Sequence, residues 1–146
     1  MPITLANGEL CQCCMIAAGR MPSVTEVRRT ARMITVVVPR QHEAGHLIVF
    51  PIRHVATLME LTDDEAAAIA TEARAMAMAL RQAYELDGSL IYQNNGTASF
   101  QEVPHVHLHV VPRREGGTWP PLRWAWDHPA VPDRAEFQAL LIKARP

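Results

Sequence analysis

The heptapeptide His-Val-His-Leu-His-Val-Val at residues 105–111 decides the fold. Its strict alternation of histidine with apolar residues predicts a strand, which Pro112 closes. Side chains alternate across a strand, so His105, His107 and His109 share one face while the apolar residues between them face the core. Three of the seven histidines of the chain lie in this row, which argues against a chance arrangement. Imidazole can bind zinc, transfer protons near neutral pH or attack phosphorus as a neutral nucleophile.

The rest of the sequence predicts a sheet and one long helix. Residues 62–87 carry an apolar stripe at helical spacing, with Thr62 and Glu65 as a capping box and Gly88 as the terminator. Because helix and strands occur in blocks rather than in strict alternation, we expect an α+β fold with a mainly antiparallel sheet. The other predicted elements are a short helix within residues 11–20, strands at 32–38, 46–50 and 89–93, and a short helix near 134–144.

Length and composition fit a single domain and restrict its partners. The chain has 146 residues, of which 49% are hydrophobic and 20% are charged, as expected for one folded core. We expect residues 1–113 to form this core and the Pro/Trp-rich residues 114–146 to extend the same domain. The net charge of −1, without a basic block, argues against nucleic-acid or acidic-membrane partners. No secretion leader or membrane span is evident, so we expect a cytoplasmic protein.

A second cluster of reactive side chains lies near the N-terminus, where residues 11–14 read Cys-Gln-Cys-Cys. Cys11 and Cys14 have the C-x₂-C spacing that lets two thiolates reach one metal ion. His54 and His105 could complete a tetrahedral zinc site that ties the N-terminus to the sheet. The alternative is a buried, reduced thiol cluster without a metal. Three clustered cysteines are a poor disulfide framework and fit a reducing compartment.

Taken together, these segments resemble the histidine-triad (HIT) family of nucleotidyl hydrolases and transferases. The histidine row matches the family motif, and the cysteine segment followed by Gly-Arg-Met-Pro resembles the family's N-terminal start. Residues 45–54 (GHLIVFPIRH) and the Asn-Asn-Gly of residues 94–96 with the later Gln101 also resemble family segments. The resemblance extends over residues 11–113 and implies an α+β fold whose antiparallel sheet pairs across a homodimer.

The resemblance also implies catalytic roles. His107 matches the nucleophile that attacks the α-phosphate and forms a nucleotidyl-histidine, His109 a residue that assists the leaving group, and His46 a buttress. We expect a backbone carbonyl to hold the other ring nitrogen of His107, because no carboxylate partner is evident in the sequence. The family reaction requires no catalytic metal. In zinc-containing members the ligands of a structural zinc fall on Cys11, Cys14, His54 and His105.

Substrate contacts are implied at three further positions. Gln101 matches a polar phosphate contact, and Asn94 matches a residue that lines the substrate site. Arg113 resembles an arginine of the fragile-histidine-triad branch and either meets a second phosphate or is a solvated residue at a strand end. The implied substrate is a nucleotide-like small molecule, cleaved at a phosphoramidate, phosphate ester or phosphoanhydride.

Two positions depart from the family pattern and support other hypotheses. Val38 stands eight residues before His46, where the family usually has Asp or Asn to hold the ribose. Glu102 follows Gln101 in place of Ser or Thr; it either points away from the phosphate or acts as a base toward a basic leaving group. These departures suggest as an alternative a non-catalytic module that binds a nucleotide or a partner. A third hypothesis is a mononuclear metal hydrolase that uses the whole histidine row as ligands.

Overall fold

The computed structural model describes residues 3–38, 41, 43–116 and 139. These residues form a five-stranded antiparallel sheet in the order β1-β2-β3-β5-β4, with one long and one short helix. The predicted α+β class is therefore confirmed. The elements are α1 (Gln12–Ala17), β1 (Glu26–Arg29), β2 (Met33–Val37), β3 (Leu47–Pro51), α2 (Asp63–Tyr84), β4 (Gly88–Tyr92) and β5 (Leu108–Arg113), with 3₁₀ turns at Leu58–Glu60 and Thr97–Ser99.

The two faces of the sheet are covered differently. Helix α2 packs on one face, and the cysteine segment packs on the other. The α2 face buries apolar side chains of the helix against alternate residues of three strands; they include Ile69, Ala73, Met76 and Leu80 from the helix and Met33, Val37, Leu47, Val49 and Val110 from the sheet. The other face holds Cys11, Cys14, Ile34, Val36 and Phe50. His109 lies between Leu108 and Val110 on β5, so alternation directs it to the face opposite α2.

Helix α2 begins as predicted and ends earlier. The Thr62 hydroxyl accepts a hydrogen bond from the Glu65 amide at 3.2 Å, and the Glu65 carboxylate accepts one from the Thr62 amide at 2.9 Å, which completes the capping box. The prediction that Gly88 terminates the helix is wrong. Glu85 adopts the left-handed conformation, with φ of 50°, and ends the helix three residues earlier, so Gly88 begins β4.

The strand that carries the histidine row is shifted relative to its prediction. It begins at Leu108 rather than at His105, because the residues before it bind the 51–55 segment instead of a sheet neighbour. The Val106 amide, for example, donates to the Val55 carbonyl at 2.7 Å. Pro112 does not close the strand. It lies beyond Val110, the last β5 residue paired with β3. Its missing N–H therefore costs no hydrogen bond to β3.

The other predicted strands agree with the structure to within one residue at each end. The short N-terminal helix is confirmed but is limited to Gln12–Ala17. Strand β1 has no strong sequence signal, because Val27 is the single apolar residue of its Glu-Val-Arg-Arg sequence. Apart from Ala139, the helix predicted near 134–144 lies outside the described residues, as does most of the 114–146 extension. Within the described part of the chain, no helix is long and apolar enough to span a membrane.

Candidate active site

The three histidines that were predicted to be catalytic lie together. The rings of His107 and His109 have centroids 4.8 Å apart. His46, fully buried just before β3, places its Nε2 atom 2.9 Å from Nδ1 of His109. The pairing of β3 with β5, in which Ile48 lies opposite His109, explains why His46 reaches this ring. His46 is therefore placed to fix the orientation of His109.

A backbone carbonyl sets the tautomer of His107. Nδ1 of its ring donates a hydrogen bond to the carbonyl oxygen of His105 at 2.7 Å, as expected from the sequence. A carbonyl can only accept, so Nδ1 carries the ring hydrogen and Nε2 keeps a lone pair when the ring is neutral. Burial lowers the pKa of His107 below its usual value of 6.5, which favours this neutral form at pH 7. The ring thus has the protonation state that a nucleophile needs.

An aromatic ring that the sequence did not indicate completes the histidine group. Tyr92 stacks on His109 with centroids 4.3 Å apart and ring planes within 5°. The register of β4 against β5 places these two residues directly opposite each other. Burial raises the pKa of Tyr92 to about 12, so its phenol stays protonated at neutral pH. The sequence predicts Tyr92 to lie in a strand, but strand register depends on distant pairing that one sequence does not reveal.

The loop before the histidine row is held by amide side chains. Gln101 accepts a hydrogen bond from the Gly96 amide at 2.6 Å and donates to the carbonyls of Ala56 at 2.7 Å and Val103 at 3.0 Å. Asn94 also donates its side-chain amide to a backbone carbonyl of this loop. Both amide hydrogens of Gln101 are therefore used to position backbone. The phosphate contact expected of Gln101, and the substrate contact expected of Asn94, stay predictions.

The remaining positions of interest lie at the edges of the site. Arg113 lies four residues beyond His109 at the far end of β5 and forms an ion pair with Glu43 at 3.3 Å. Its contact with a second phosphate stays a prediction. Val38 donates its backbone amide to the His46 carbonyl at 3.0 Å and offers only an apolar side chain. Glu102 is exposed.

The four predicted metal ligands also lie together. One donor atom each from Cys11, Cys14, His54 and His105 lies within 4.8 Å of the others. The Sγ atom of Cys11 is 3.4 Å from Nδ1 of His105, and the Sγ atom of Cys14 is 3.4 Å from Nδ1 of His54. Nε2 of His105 donates to the Pro51 carbonyl at 2.8 Å, which leaves the lone pair of Nδ1 for the sulfur cluster. A histidine ligand is typically oriented in this way.

The donor chemistry of this group fits zinc. Two sulfur and two imidazole donors are a preferred tetrahedral set, and four protein ligands leave no open position for a substrate. The pKa of the Cys11 thiol is lowered, first by a hydrogen bond from Cys13 and also by His105, so Cys11 favours the thiolate that a metal binds. Cys13, to which the sequence assigned no role, therefore supports a ligand. Of the histidine row, only His105 belongs to this described group.

Comparison with known proteins identifies the family. The model of the HIT domain matches residues 29–116. This chain belongs to the HIT family. The HIT protein is similar to a zinc-bound histidine triad family protein from Mycobacterium smegmatis, whose crystal structure is 32% identical, with a TM-score of 0.73 over 92% of this chain and 91% of that one. A HIT-like protein of Mycobacterium tuberculosis is 33% identical over 106 residues, 73% of each chain.

Several relatives have enzymatic names, among them two phosphoramidases and a dinucleoside tetraphosphatase. Adenosine 5′-monophosphoramidase HNT1 of Saccharomyces cerevisiae is 38% identical to this HIT protein over 71 residues, which are 49% of this chain and 42% of the yeast protein. The family therefore includes a nucleotide hydrolase.

Proposed function

We propose that this HIT protein hydrolyses nucleoside phosphoramidates through a nucleotidyl intermediate on His107. The observation that carries the proposal is the 2.7 Å hydrogen bond from Nδ1 of His107 to the His105 carbonyl, because it leaves a lone pair on Nε2. The name of the yeast relative supports the substrate class. A phosphate ester or phosphoanhydride could react by the same route, since only the leaving group would differ.

In the first step, the lone pair on Nε2 of His107 forms a bond to the α-phosphorus. The bond from phosphorus to the leaving nitrogen breaks, and that nitrogen keeps the electron pair and takes up a proton. His109 is placed to supply this proton, because its ring adjoins His107 and His46 holds it at 2.9 Å. A covalent intermediate divides one difficult displacement into two easier ones.

In the second step, water replaces the histidine on phosphorus. The water oxygen forms the new bond to phosphorus, and the bond to Nε2 of His107 breaks. His109 takes the proton that the water loses and is ready for another cycle. The products are a nucleoside monophosphate and an amine, and the net reaction consumes one water molecule.

A structural metal and a homodimer belong to the same proposal. Cys11, Cys14, His54 and His105 would hold zinc, which would tie α1 to the sheet near the histidine row. All four coordination positions would be filled by protein, so the steps above run through imidazole alone. The homodimer implied by the family resemblance also stays a proposal.

The test is turnover of adenosine 5′-phosphoramidate, measured as release of AMP. We expect His107→Ala to lower kcat by at least about 10⁴-fold, because the nucleophile is lost. Circular dichroism and zinc content should match the wild type, and the exposed helix variant Gln82→Ala should keep full activity. Rapid quenching with phosphorus-labelled substrate should trap label on His107. Full activity in His107→Ala, or label on another residue, would remove the proposal.

The second candidate is a binding module without turnover. The apolar Val38 and the engagement of the Gln101 amide with backbone favour it, because both reduce the number of groups left to hold ribose and phosphate. Calorimetry with AMP, together with a product assay on adenosine phosphoramidates and dinucleoside polyphosphates, separates the two. Binding of AMP without release of AMP from any of these compounds would favour the module.

A further inference from the structure

The backbone that carries His46 into the sheet is held by several hydrogen bonds. His46 immediately precedes β3, and its amide donates a hydrogen bond to the Glu43 carbonyl at 3.0 Å. Its own carbonyl accepts one from the Val38 amide at 3.0 Å. The buried side chain of Gln41 accepts a further hydrogen bond from the Gly45 amide at 2.7 Å. The backbone position of His46 therefore depends on where Glu43 and Gly45 lie.

An ion pair fixes Glu43 to the strand that carries the ring partner of His46. Nη1 of Arg113, the last residue of β5, lies 3.3 Å from Oε1 of Glu43. His109 lies four residues earlier on the same strand. Because β3 and β5 are antiparallel, the residues just before β3 run beside the last residues of β5. Glu43 therefore joins the strand of His109 to the segment that carries His46.

The ion pair is largely shielded from solvent. The side chains of Arg113 and Glu43 are 15% and 22% exposed. Ion pairs at this degree of burial are screened by salt less than fully exposed ones, so the contact restrains Glu43 more firmly than a surface pair would. Arg114, the next residue, is exposed and forms no hydrogen bond or ion pair within the part of the chain that the structure describes. The two neighbouring arginines therefore differ in this contact.

We propose that Arg113 and Glu43 are positioning residues for the pair of rings formed by His46 and His109. Their effect on rate rests on the proposed hydrolysis, in which His109 transfers the proton. The ion pair holds Glu43, the Glu43 carbonyl holds the His46 amide, and the His46 ring contacts His109 at 2.9 Å. A shift of His46 lengthens this last contact, and proton transfer depends on narrow geometry. Arg113 thus acts on rate without contact with the substrate.

NMR on protein with isotope-labelled histidine measures the contact between the two rings directly. A hydrogen bond between Nε2 of His46 and Nδ1 of His109 gives a coupling between these nitrogens, and both rings are buried, which protects the shared hydrogen from exchange. We expect the coupling to be weakened or lost in Glu43→Met and in Arg113→Met. The matched control Arg114→Met removes the same charge one residue away and should keep the coupling. Circular dichroism should match the wild type in every variant.

Kinetics with adenosine 5′-phosphoramidate separate positioning from substrate binding. Glu43→Met and Arg113→Met should each lower kcat about three- to tenfold, with little change in KM. The double variant should be no slower than either single variant, because all three lose the same contact. Arg113→Lys keeps the charge and should recover part of kcat. Arg114→Met should keep the wild-type kcat and KM.

The outcomes separate this inference from the function on which it rests. An unchanged ring coupling in Glu43→Met and Arg113→Met would overturn the positioning role and leave the hydrolase intact. No AMP release by the wild type, with the coupling lost in both variants, would overturn the hydrolase and support the positioning of the rings. A rise in KM confined to Arg113→Met, largest for dinucleoside polyphosphates, would show a phosphate contact and reject the proposal. Loss of the coupling in Arg114→Met as well would show a general charge effect and also reject it.

Discussion

The geometry of the histidine group depends on one or two contacts that hold each ring. His107 is oriented by one carbonyl oxygen, and His109 is held between the Nε2 atom of His46 and the ring of Tyr92. Positioning of this kind contributes to catalysis because reacting groups must keep a narrow geometry. Each contact therefore has a consequence for rate that can be measured separately.

His46 should act on rate more than on affinity. In His46→Ala, His109 loses its 2.9 Å partner and a buried cavity forms. We expect kcat for adenosine 5′-phosphoramidate to fall about 10- to 100-fold, with a much smaller change in KM. The free energy of unfolding should fall by about 1–3 kcal/mol, measured by urea titration. A large rise in KM with unchanged kcat would contradict the positioning role.

The ring of Tyr92 should matter more than its hydroxyl. An offset or parallel aromatic contact contributes about 0.5–1.5 kcal/mol, and burial keeps the phenol protonated. We expect Tyr92→Phe to keep most of kcat, whereas Tyr92→Ala should lower it because His109 gains freedom. Steady-state kinetics on the two variants provide the comparison. Equal losses in both would show that the hydroxyl, and not the stack, is required.

For single residues, the sequence predicts which side chains are reactive better than it predicts which contacts hold them in place. The histidine row and the C-x₂-C spacing identify five of the side chains in the two groups, whereas the role of His46 was implied by the family resemblance. The hydrogen bonds of Gln101 to backbone groups and the stacking of Tyr92 on His109 are not predictable in the same way. Both depend on loop closure and strand register, which bring together residues that are distant in sequence.

Among the elements, α2 has the clearest local determinants. Its first turn is fixed by the Thr62–Glu65 capping box, and Arg53 donates to the Glu65 carboxylate at 2.6 and 2.7 Å. All these signals lie within a short stretch of chain, so the helix start is predictable. Strand β1 differs because its position depends on pairing with β2, and its charged residues give no apolar alternation.

Removal of the Glu65 charge should give a pH-dependent loss of stability. Arg53, followed by the Thr62 amide, lowers the pKa of Glu65 from 4.5 to about 2 in the folded protein. A lowered folded-state pKa stabilises the fold above pH 4.5, and this contribution is lost as the pH falls toward 2. Glu65→Gln should therefore be less stable than the wild type at pH 7, and the difference should shrink between pH 4.5 and 2. Urea unfolding across this range measures it.

The control for this prediction is Asp63→Asn, which removes a first-turn charge outside the capping box. It should cost less stability at pH 7, since only its interaction with the helix dipole is lost. A difference between wild type and Glu65→Gln that stayed constant down to pH 2 would contradict the assigned role of the ionised carboxylate.

Helix α1 should depend on metal for its attachment to the sheet. We expect about one zinc ion per chain by elemental analysis of freshly purified protein. Cys11→Ser should release it and lower the melting temperature, because one of four ligands is lost. Cys13→Ser is the matched control: its sulfur is outside the ligand group and the serine hydroxyl can still donate the hydrogen bond to Cys11, so zinc should stay bound. Protein without metal, or loss of zinc in both variants, would contradict the site.

For the whole molecule, the two edges of the sheet have different character. β1 presents Glu-Val-Arg-Arg at one edge, and charged residues protect an exposed strand from pairing. β4 forms the other edge and leaves Ile91 43% exposed. If the proposed homodimer forms through the sheet, β4 is therefore the edge that fits.

Mass measurement in solution tests this arrangement. Analytical ultracentrifugation should give twice the chain mass of 16.3 kDa at micromolar concentration. Ile91→Asp should shift the protein toward the monomer, because it places charge at the proposed interface, while Met78→Asp on the exposed side of α2 should not. A monomeric wild type would reject the dimer, and an unchanged Ile91→Asp dimer would reject β4 as its interface.

His105 takes part in both groups of side chains. Its imidazole contacts the cysteines, and its backbone carbonyl accepts the hydrogen bond from the His107 ring. Loss of the proposed metal ion would leave the His105 imidazole less restrained. The His105 carbonyl that orients His107 would then shift as well. Turnover would then fall before the domain unfolds, although the metal ion does not contact the substrate. With zinc bound as proposed, turnover would therefore depend on the supply of metal.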